Sequence, residues 1–227
     1  SVTSIGYEAF SGCDGLTSIV VEEGNSDYDS RNNCNAIIET KSNTLLQGCK
    51  TTIIPNSVTS IGISAFYGCS GLTSVTIPNS VKSIGGNAFS DCSGLTSVHI
   101  SDIVAWCNID FIDNTSNPLY NAHHLYLDGE EVKDLVIPNS VTSIGDNAFA
   151  GCSGLTSITM GIDIKNIGTN AFVKCSGLLD VYCYAIKLPS TESDAFDGSN
   201  PEKVTLHVPS ASVESYKKTE PWSGFSN

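Results

Sequence analysis

The sequence predicts a repeat solenoid, mainly β with some α structure. We expect a curved slab with a parallel β-sheet on one face, short turns and 3-10 helices on the other, and a helical cap at the C-terminal end. Three observations predict this fold: an apolar frame returns every 23 residues, each unit ends in apolar–polar alternation, and a Pro-Asn pair often follows that alternation. One such coil cannot bury its own apolar side, but stacked coils share a continuous core.

The repeating frame is most regular in residues 57–78, and it begins again at Ser80 and Ser140. In that first regular unit the apolar positions are Val58, Ile61, Ala65, Phe66, Cys69, Leu72, Val75 and Ile77. Within each regular run one apolar position steps by 23 residues, at Leu72 and Leu95 and then at Val132, Leu155 and Leu178. Self-similarity at a fixed period is the signature of stacked repeats, so each unit is interpreted as one rung.

Each rung is predicted to contain one short strand and one compact return. Leu72, Val75 and Ile77 end in period-2 alternation, which indicates a strand with one buried face. The proline and asparagine at residues 78–79 end that strand, because proline cannot donate to a ladder and asparagine suits a turn. On the return, Phe66 lies in a stretch with helical or 3-10 spacing that places its ring in the interior.

Eight strands are predicted when the rungs are aligned on the last strand residue. These strands end at Val21, Ile54, Ile77, Ile100, Ile137, Met160, Cys183 and Val208. At a spacing of about 4.8 Å, eight parallel strands would form one sheet ~34 Å across.

We predict that residues 1–227 form a single domain of about eight rungs, with two of the rungs lengthened. The first insertion, about residues 22–49, has the pattern of a hairpin. The second insertion, about residues 101–131, begins with a short helix capped by Asp102 and ends in a hairpin whose turn is the Asp-Gly pair at residues 128–129. Both insertions are rich in large apolar residues, so neither is interpreted as a linker.

The C-terminal segment, about residues 209–227, is predicted to cap the stack. Val213 and Tyr216 would lie on a short helix that packs on the last rung, and Trp222 would add cover. At the other end Ser1 opens directly inside a repeat, without a signal peptide or a cap. We therefore expect a fragment, or a mature form from which a leader has been removed.

Composition excludes some classes of partner. Of 227 residues, 40% are hydrophobic, 11 are Lys or Arg and 24 are Asp or Glu, so the formal net charge is -13. A surface of this sign repels phosphate backbones and anionic lipid, and we expect no nucleic-acid partner. No apolar run approaches the ~18 residues of a membrane span.

The 57–78 unit reads Ser-Val-Thr-Ser-Ile-Gly-x-x-Ala-Phe-x-x-Cys-Ser-Gly-Leu-Thr-Ser-Val-Thr-Ile-Pro. This motif resembles the BspA-like class of bacterial leucine-rich repeats, and the resemblance covers essentially the whole chain. It implies a leucine-rich-repeat slab on a bacterial cell-surface or secreted protein, with adhesion to host matrix or bacterial proteins as a function of some members. No catalytic residues belong to the family pattern, so we expect no enzyme.

Nine cysteines invite a redox or metal interpretation. Five of them share one repeat position beside the interior phenylalanine: Cys13, Cys69, Cys92, Cys152 and Cys175. They lack the C-x-x-C spacing of zinc sites, and buried free thiols are the favoured interpretation. Cys34 and Cys49 flank the first hairpin, where a disulfide is an open alternative.

Two further clusters are weak candidates for chemistry. The first is a possible metal or nucleophile site at His123 and His124, with Cys107 and Asp113 nearby in sequence. Adjacent residues on a strand point to opposite faces, so the two histidines are not expected to bind the same ion. The alternating oxygens at residues 25–29 lack the remaining ligands of a calcium loop, and a solvated acidic loop is favoured. We predict no catalytic site, no metal site and no cofactor.

The exposed strand face is the candidate binding site. Its outward positions form two rows, of which the first is Ser74, Ser97, Asp134, Ser157, Asp180 and Thr205, and the second is Thr76, His99, Val136, Thr159, Tyr182 and His207. On the first two rungs the same rows would continue at Ser18, Val20, Thr51 and Ile53. Hydroxyls beside apolar and aromatic groups suit a protein or glycan surface, and solenoids commonly bind through this side. Serine and threonine also simply tolerate exposed strands, so the pattern alone does not prove a site.

Three functions remain open. We favour a non-enzymatic surface module that binds a host matrix or bacterial surface protein. One alternative is a structural spacer without a ligand of its own. The other is a carbohydrate-binding protein that uses Tyr182, Tyr184 or the insertion around Trp106.

Overall fold

The computed structural model describes residues 2–6, 9–10, 13 and 15–226. The strands, in chain order, are β1 (Tyr28–Asp29), β2 (Ile37–Glu39), β3 (Thr44–Gln47), β4 (Ser60–Ile61), β5 (Ser74–Thr76), β6 (Ser83–Ile84), β7 (Ser97–Ile100), β8 (Asp110–Phe111), β9 (Leu125–Leu127), β10 (Glu130–Glu131), β11 (Asp134–Ile137), β12 (Ser143–Ile144), β13 (Ser157–Met160), β14 (Asn166–Ile167), β15 (Asp180–Cys183), β16 (Ser190–Thr191) and β17 (Thr205–His207). The helices are α1 (Ile103–Cys107), α2 (Leu119–Ala122) and α3 (Val213–Tyr216), with 3-10 turns at Arg31–Asn33, Asn114–Ser116, Pro201–Lys203 and Trp222–Gly224.

The strands stack in register on two sides of a solenoid, which confirms the predicted fold class. On the strand face, β5, β7 and β9 run parallel, and β11, β13, β15 and β17 form a second parallel sheet. Each strand pairs with its equivalent one rung later, so that Ser74 lies opposite Ser97 and Ser157 opposite Asp180. In the described residues no helix has the length and hydropathy to cross a membrane.

The prediction of one eight-stranded sheet is wrong. The two predicted strands that end at Val21 and Ile54 do not form. The remaining strands of the strand face belong to two sheets instead of one. The second insertion causes the division, because its strand β9 joins β7 in parallel and the chain then reverses into β10. The reversal uses Asp128 and Gly129, with φ of 51° and 90°, as the predicted hairpin requires. Strand β11 therefore starts a new sheet with β13.

The opposite face is also more regular than predicted. Instead of turns alone, it carries two-residue parallel strands: β4, β6 and β8 in one sheet, and β12, β14 and β16 in another. The first of these sheets continues into β3, which forms the predicted antiparallel hairpin with β2 in the first insertion. Backbone hydrogen bonds also join the turns of neighbouring rungs, as from Phe66 N to Ala88 O at 2.8 Å and from Phe149 N to Ala171 O at 2.8 Å.

Aromatic rings fill the interior, as predicted. Phe66 stacks on Phe89 at 4.9 Å between ring centroids, and Phe172 stacks between Phe149 and Phe196 at 5.3 Å from each. These rings belong to one cluster of buried residues that extends from Cys34 to Phe225. The division of the strand face therefore does not divide the core.

The second insertion bridges the two sets of rungs. Its helix α1, capped by the Asp102 carboxylate as predicted, buries Trp106 against Phe111 at 5.2 Å. The Trp106 Nε1 donates to Ala148 O at 2.8 Å, on the far side of the division. The fully buried Asn117 donates from Nδ2 to the same carbonyl at 2.9 Å. The insertion therefore takes the place of a regular rung between Phe89 and Phe149.

The repeated cysteine position ties neighbouring rungs together. The Cys92 thiol donates to Phe66 O at 3.1 Å, and the Cys175 thiol donates to Phe149 O at 3.2 Å. In the last rung Ser199 takes the same place, and its Oγ donates to Phe172 O at 2.6 Å. Burial raises the pKa of the Cys92 thiol to about 12, so this group stays protonated and keeps its donor.

The buried-thiol prediction holds for three of the five repeated cysteines. Cys92, Cys152 and Cys175 are buried, whereas Cys69 is only partly buried and Cys13 is exposed. The Cys69 thiol lies 4.0 Å from Gly48 O, because the preceding coil is the irregular first insertion. All nine cysteines lie in the described part of the chain, and none forms a disulfide, Cys34 and Cys49 included.

Residues 209–226 pack on the last rung. Helix α3 buries Tyr216, whose hydroxyl donates to Ala185 O at 3.0 Å. Trp222 lies 5.6 Å from Phe196 and 5.2 Å from Tyr216 between ring centroids. Val213 stays half-buried at the edge of this cluster.

Candidate interaction face

The strand face positions its outward residues through simple alternation. Val75, Val98, Leu135, Ile158 and Val181 are buried, so their neighbours in the strands point away from the core. The register then aligns the predicted rows: Ser74 with Ser97, Thr76 with His99, Asp134 with Ser157, Asp180 and Thr205, and Val136 with Thr159, Tyr182 and His207.

The division of the sheet splits these rows into two groups. Ser74, Thr76, Ser97 and His99 lie on the sheet of β5, β7 and β9, and the other eight predicted residues lie on the sheet of β11 to β17. The earlier positions Ser18, Val20, Thr51 and Ile53 are exposed, but they are not in strands.

Tyr126 is a face residue that the sequence prediction missed. Strand β9 places it opposite His99, and the two rings stack at 4.8 Å with 24° between their planes. The signal was present, because Leu125 and Leu127 alternate around Tyr126 just before an Asp-Gly turn. Assigning this segment to a separate hairpin hid its place beside β7.

A second aromatic group lies at the other end of the face. The Tyr182 ring stacks on the His207 ring at 4.2 Å with 9° between planes, and Tyr184 lies 6.5 Å from Tyr182. We call Tyr182, Tyr184 and His207 the aromatic patch. Tyr184 is 47% exposed, and the exposed apolar residues Leu179 and Ile186 flank this strand in sequence.

Polar contacts hold parts of the face in place. Asp180 Oδ1 and His207 Nε2 are 2.8 Å apart, which fixes the imidazole beside the Tyr182 ring. On the neighbouring rungs Asp134 Oδ1 accepts from Ser157 Oγ at 2.7 Å and from Thr156 Oγ1 at 3.1 Å. These hydrogen bonds restrict the rotamers of the side chains, which lowers the entropic cost of binding a partner.

The histidine and cysteine cluster considered from sequence does not assemble. His123 Nδ1 lies 2.9 Å from Gly151 O, while His124 Nδ1 pairs with Glu131 Oε1 at 2.7 Å. Burial raises the pKa of Cys107 to about 12, which is the opposite of an activated nucleophile. Asp113 caps a 3-10 turn by accepting from Ser116 N at 2.7 Å. Within the described residues no three His, Cys, Asp or Glu side chains form a metal-binding group.

The acidic loop has partners of its own. Asn25 Oδ1 accepts from the backbone N–H groups of Asp27 and Tyr28 at 2.9 and 3.0 Å. Asp29 binds Arg31 through two carboxylate oxygens, with Nη2 at 2.7 Å. Partial burial would raise the pKa of Asp29, but the hydrogen bonds and charge of Arg31 outweigh it and lower that pKa. These contacts favour the solvated structural loop over a calcium site.

The stacked rungs, the one-rung register and the shared core define a leucine-rich-repeat protein. The chain belongs to the family described as the BspA type leucine rich repeat region, whose model matches in six copies over residues 1–44, 42–116 and 121–218. The resemblance found in the motif of residues 57–78 is thereby confirmed. A search of curated proteins gave no match.

Solved structures of bacterial leucine-rich-repeat proteins are similar to this chain. A leucine-rich cell-surface protein of Faecalibacterium prausnitzii is 21% identical, with a TM-score of 0.51 over 86% of this chain and 55% of that one. The leucine-rich repeat protein of T. pallidum is 19% identical, with a TM-score of 0.42 over 75% of this chain and 77% of that one. A leucine-rich repeat protein of Eubacterium ventriosum is 22% identical, with a TM-score of 0.47 over 87% of this chain and 55% of that one.

Family membership supports a general function. Leucine-rich repeats are generally protein-interaction modules and typically have no catalytic activity. The chain is therefore a repeat module of the protein-binding type.

Proposed function

We propose that this protein is a non-enzymatic module of a bacterial cell surface that adheres to a host matrix protein or to a bacterial surface protein. The proposed contact surface is the strand face, centred on the aromatic patch. The observation that carries this proposal is the Tyr182–His207 stack, which a hydrogen bond to Asp180 holds on the sheet.

The chemistry of the patch suits a protein partner. Tyrosine is enriched in interface hot spots, and exposed aliphatic groups beside it supply apolar area. The scaffold beneath is buried and fully paired in register, so binding has little backbone to order. Parallel strands that hold such side chains at fixed spacing make the patch a preformed surface.

The glycan alternative receives less support from the same geometry. The His207 ring covers one face of Tyr182, at 4.2 Å, and removes that face from stacking on a sugar. Trp106 is 1% exposed and belongs to the core. A protein partner uses ring edges and neighbouring apolar groups, which this arrangement presents.

The cell-surface location is part of the proposal. It is supported by the family and by the F. prausnitzii protein, which is described as a cell-surface protein. The net charge of -13 agrees with partners other than nucleic acid.

The test is a binding screen with matched variants. The purified chain is immobilised and exposed by biolayer interferometry to a panel of extracellular-matrix proteins and bacterial surface proteins. We expect at least one panel member to bind, and the double substitution Tyr182→Ala with Tyr184→Ala to weaken it at least ~10-fold, equivalent to about 1.4 kcal/mol.

The control is Ile63→Ala, which removes an apolar side chain of similar exposure (58%) from the turn side of the solenoid. This variant should bind as the wild type does. Equal binding by the wild type, the double variant and Ile63→Ala would show that the binding site lies outside the aromatic patch. Absence of binding to every panel member would count against adhesion.

A further inference from the structure

The strand face carries a row of side chains in which a carboxylate returns at every second rung. On the sheet of β11 to β17 the first outward row is Asp134, Ser157, Asp180 and Thr205, with one residue from each strand in register. We call these four residues the Asp row. Parallel strands lie about 4.8 Å apart, so the two aspartates are about 9.6 Å apart. A ligand that binds both carboxylates needs cationic groups at that spacing.

Within residues 15–226, neither aspartate of the Asp row is paired with a lysine or an arginine. Asp134 Oδ1 accepts from two hydroxyls, and Asp180 Oδ1 lies 2.8 Å from His207 Nε2, but no hydrogen bond in that part of the chain reaches Oδ2 of either aspartate. Strands β11, β13, β15 and β17 contain no Lys or Arg. Lys133, which directly precedes β11, pairs with Glu131 at 3.7 Å. The Asp row therefore offers two carboxylate oxygens to the cations of a partner.

The second outward row repeats with the same period. On β11 Asp134 is accompanied by Val136, which is 60% exposed. On β15 Asp180 is accompanied by Tyr182 of the aromatic patch. The strand between them presents hydroxyls in both rows, in the second row from Thr159. Every second rung thus places a carboxylate beside an apolar or aromatic side chain.

A polyproline II helix matches this period. It has three residues per turn and rises about 3.1 Å per residue, so residues i and i+3 point the same way about 9.3 Å apart. An extended β-strand presents side chains on one side every ~6.8 Å, which does not match two rungs. Proline-rich segments of this conformation dock on aromatic surfaces, and the planar guanidinium of arginine suits a carboxylate.

We propose that the Asp row binds a polyproline II segment of the partner protein that carries an arginine at every third residue. The segment lies across the strands, with its arginines on Asp134 and Asp180 and its prolines on Val136 and Tyr182. This inference rests on the proposed function, because it names the kind of segment that the strand face contacts. Such a segment is already extended before it binds, so little backbone order is lost on binding.

Two peptides of identical composition test the period. The probe is acetyl-Arg-Pro-Pro-Arg-Pro-Pro-amide, and the control, acetyl-Arg-Pro-Arg-Pro-Pro-Pro-amide, has the same charge but places its arginines two positions apart. Each peptide is titrated into the ¹⁵N-labelled protein, and the backbone N–H signals of Val136 and Tyr182 are followed. We expect saturable shifts with the probe and at least ~5-fold weaker binding of the control, because only one of its arginines reaches a carboxylate.

Matched aspartate variants locate the charge. Asp134→Asn and Asp180→Asn should each weaken binding of the probe about 3-fold, because each removes one exposed ion pair. Asp91→Asn, which removes an exposed carboxylate from a turn outside the strand face, should leave the affinity unchanged. Absence of shifts with the probe, equal affinity of the two peptides, or equal affinity of all three variants would overturn the proposal.

The binding screen separates failure of this inference from failure of the proposed function. A panel member that binds more weakly to the double variant Tyr182→Ala with Tyr184→Ala, but equally well to Asp134→Asn and Asp180→Asn, would support adhesion through the aromatic patch. The same result would overturn the arginine-bearing segment as the contact.

Discussion

Replacement of Phe172 by alanine is expected to destabilise the protein by about 4 kcal/mol. The Phe172 ring is fully buried and stacks on Phe149 and on Phe196, so its loss opens a cavity between two rungs and removes two ring contacts. The measurement is equilibrium urea unfolding followed by circular dichroism.

The control for this cavity is Tyr184→Ala, which removes an aromatic ring that is 47% exposed. We expect that variant to stay within about 0.5 kcal/mol of the wild type. A loss below about 1 kcal/mol in Phe172→Ala would mean that the stacked interior is not closely packed.

Gly177→Ala should cost about 3 kcal/mol, because the rungs approach closely at this glycine. A methyl group there would overlap the backbone oxygen of Ser153 and lie 2.8 Å from Leu155 O. Neither backbone oxygen can move without shifting the preceding rung. Urea unfolding of the variant gives the change in the free energy of unfolding.

Two glycines at the equivalent repeat position provide graded controls. At Gly71 the added methyl would meet the flexible Lys50 side chain, with Cδ at 3.0 Å, and at Gly15 it would meet nothing within 4 Å. We expect both alanine variants to lie within about 1 kcal/mol of the wild type. Equal losses at Gly71 and Gly177 would attribute the effect to backbone propensity instead of rung contact.

Local patterns predicted most of the solenoid. The alternation around Val181 predicted which side of each strand is buried, and the 23-residue step predicted which strands are equivalent. The Asp-Gly pair at residues 128–129 predicted a turn that the structure contains. These features depend on neighbours in sequence or on a fixed period, which a single chain displays directly.

The path of the second insertion could not be predicted from local sequence patterns. The sequence indicates a strand near Tyr126, but whether it pairs with β7 or remains a separate hairpin depends on contacts far along the chain. The same holds for Trp106, which reaches Ala148 over 42 positions. The division of the strand face follows from these non-local contacts.

The candidate sites show the same limit. Tyr182 and His207 were placed in one row by counting residues, and their stacking follows from that register. The packing of the C-terminal segment could not be predicted in detail, because it depends on side-chain contacts between distant residues, such as those of Trp222 with Phe196 and Tyr216.

The structure also explains why the repeated cysteine position accepts serine. Cys175 and Ser199 occupy equivalent places and both donate to the carbonyl of a phenylalanine in the preceding rung. The position therefore requires a small donor, and sulfur itself is not essential to it. This explains a column of thiols without invoking redox or metal chemistry.

We propose that residues 1–227 form one domain, because one cluster of buried residues continues from Cys34 to Phe225 across the divided sheet. Hydrogen exchange measured by mass spectrometry across a urea series tests it directly, with peptides that cover β5 to β7 and β13 to β15. We expect one transition with the same urea midpoint in both regions, because Trp106 and Asn117 join them through Ala148. Two separate midpoints would show that the regions unfold independently and would contradict the shared interior.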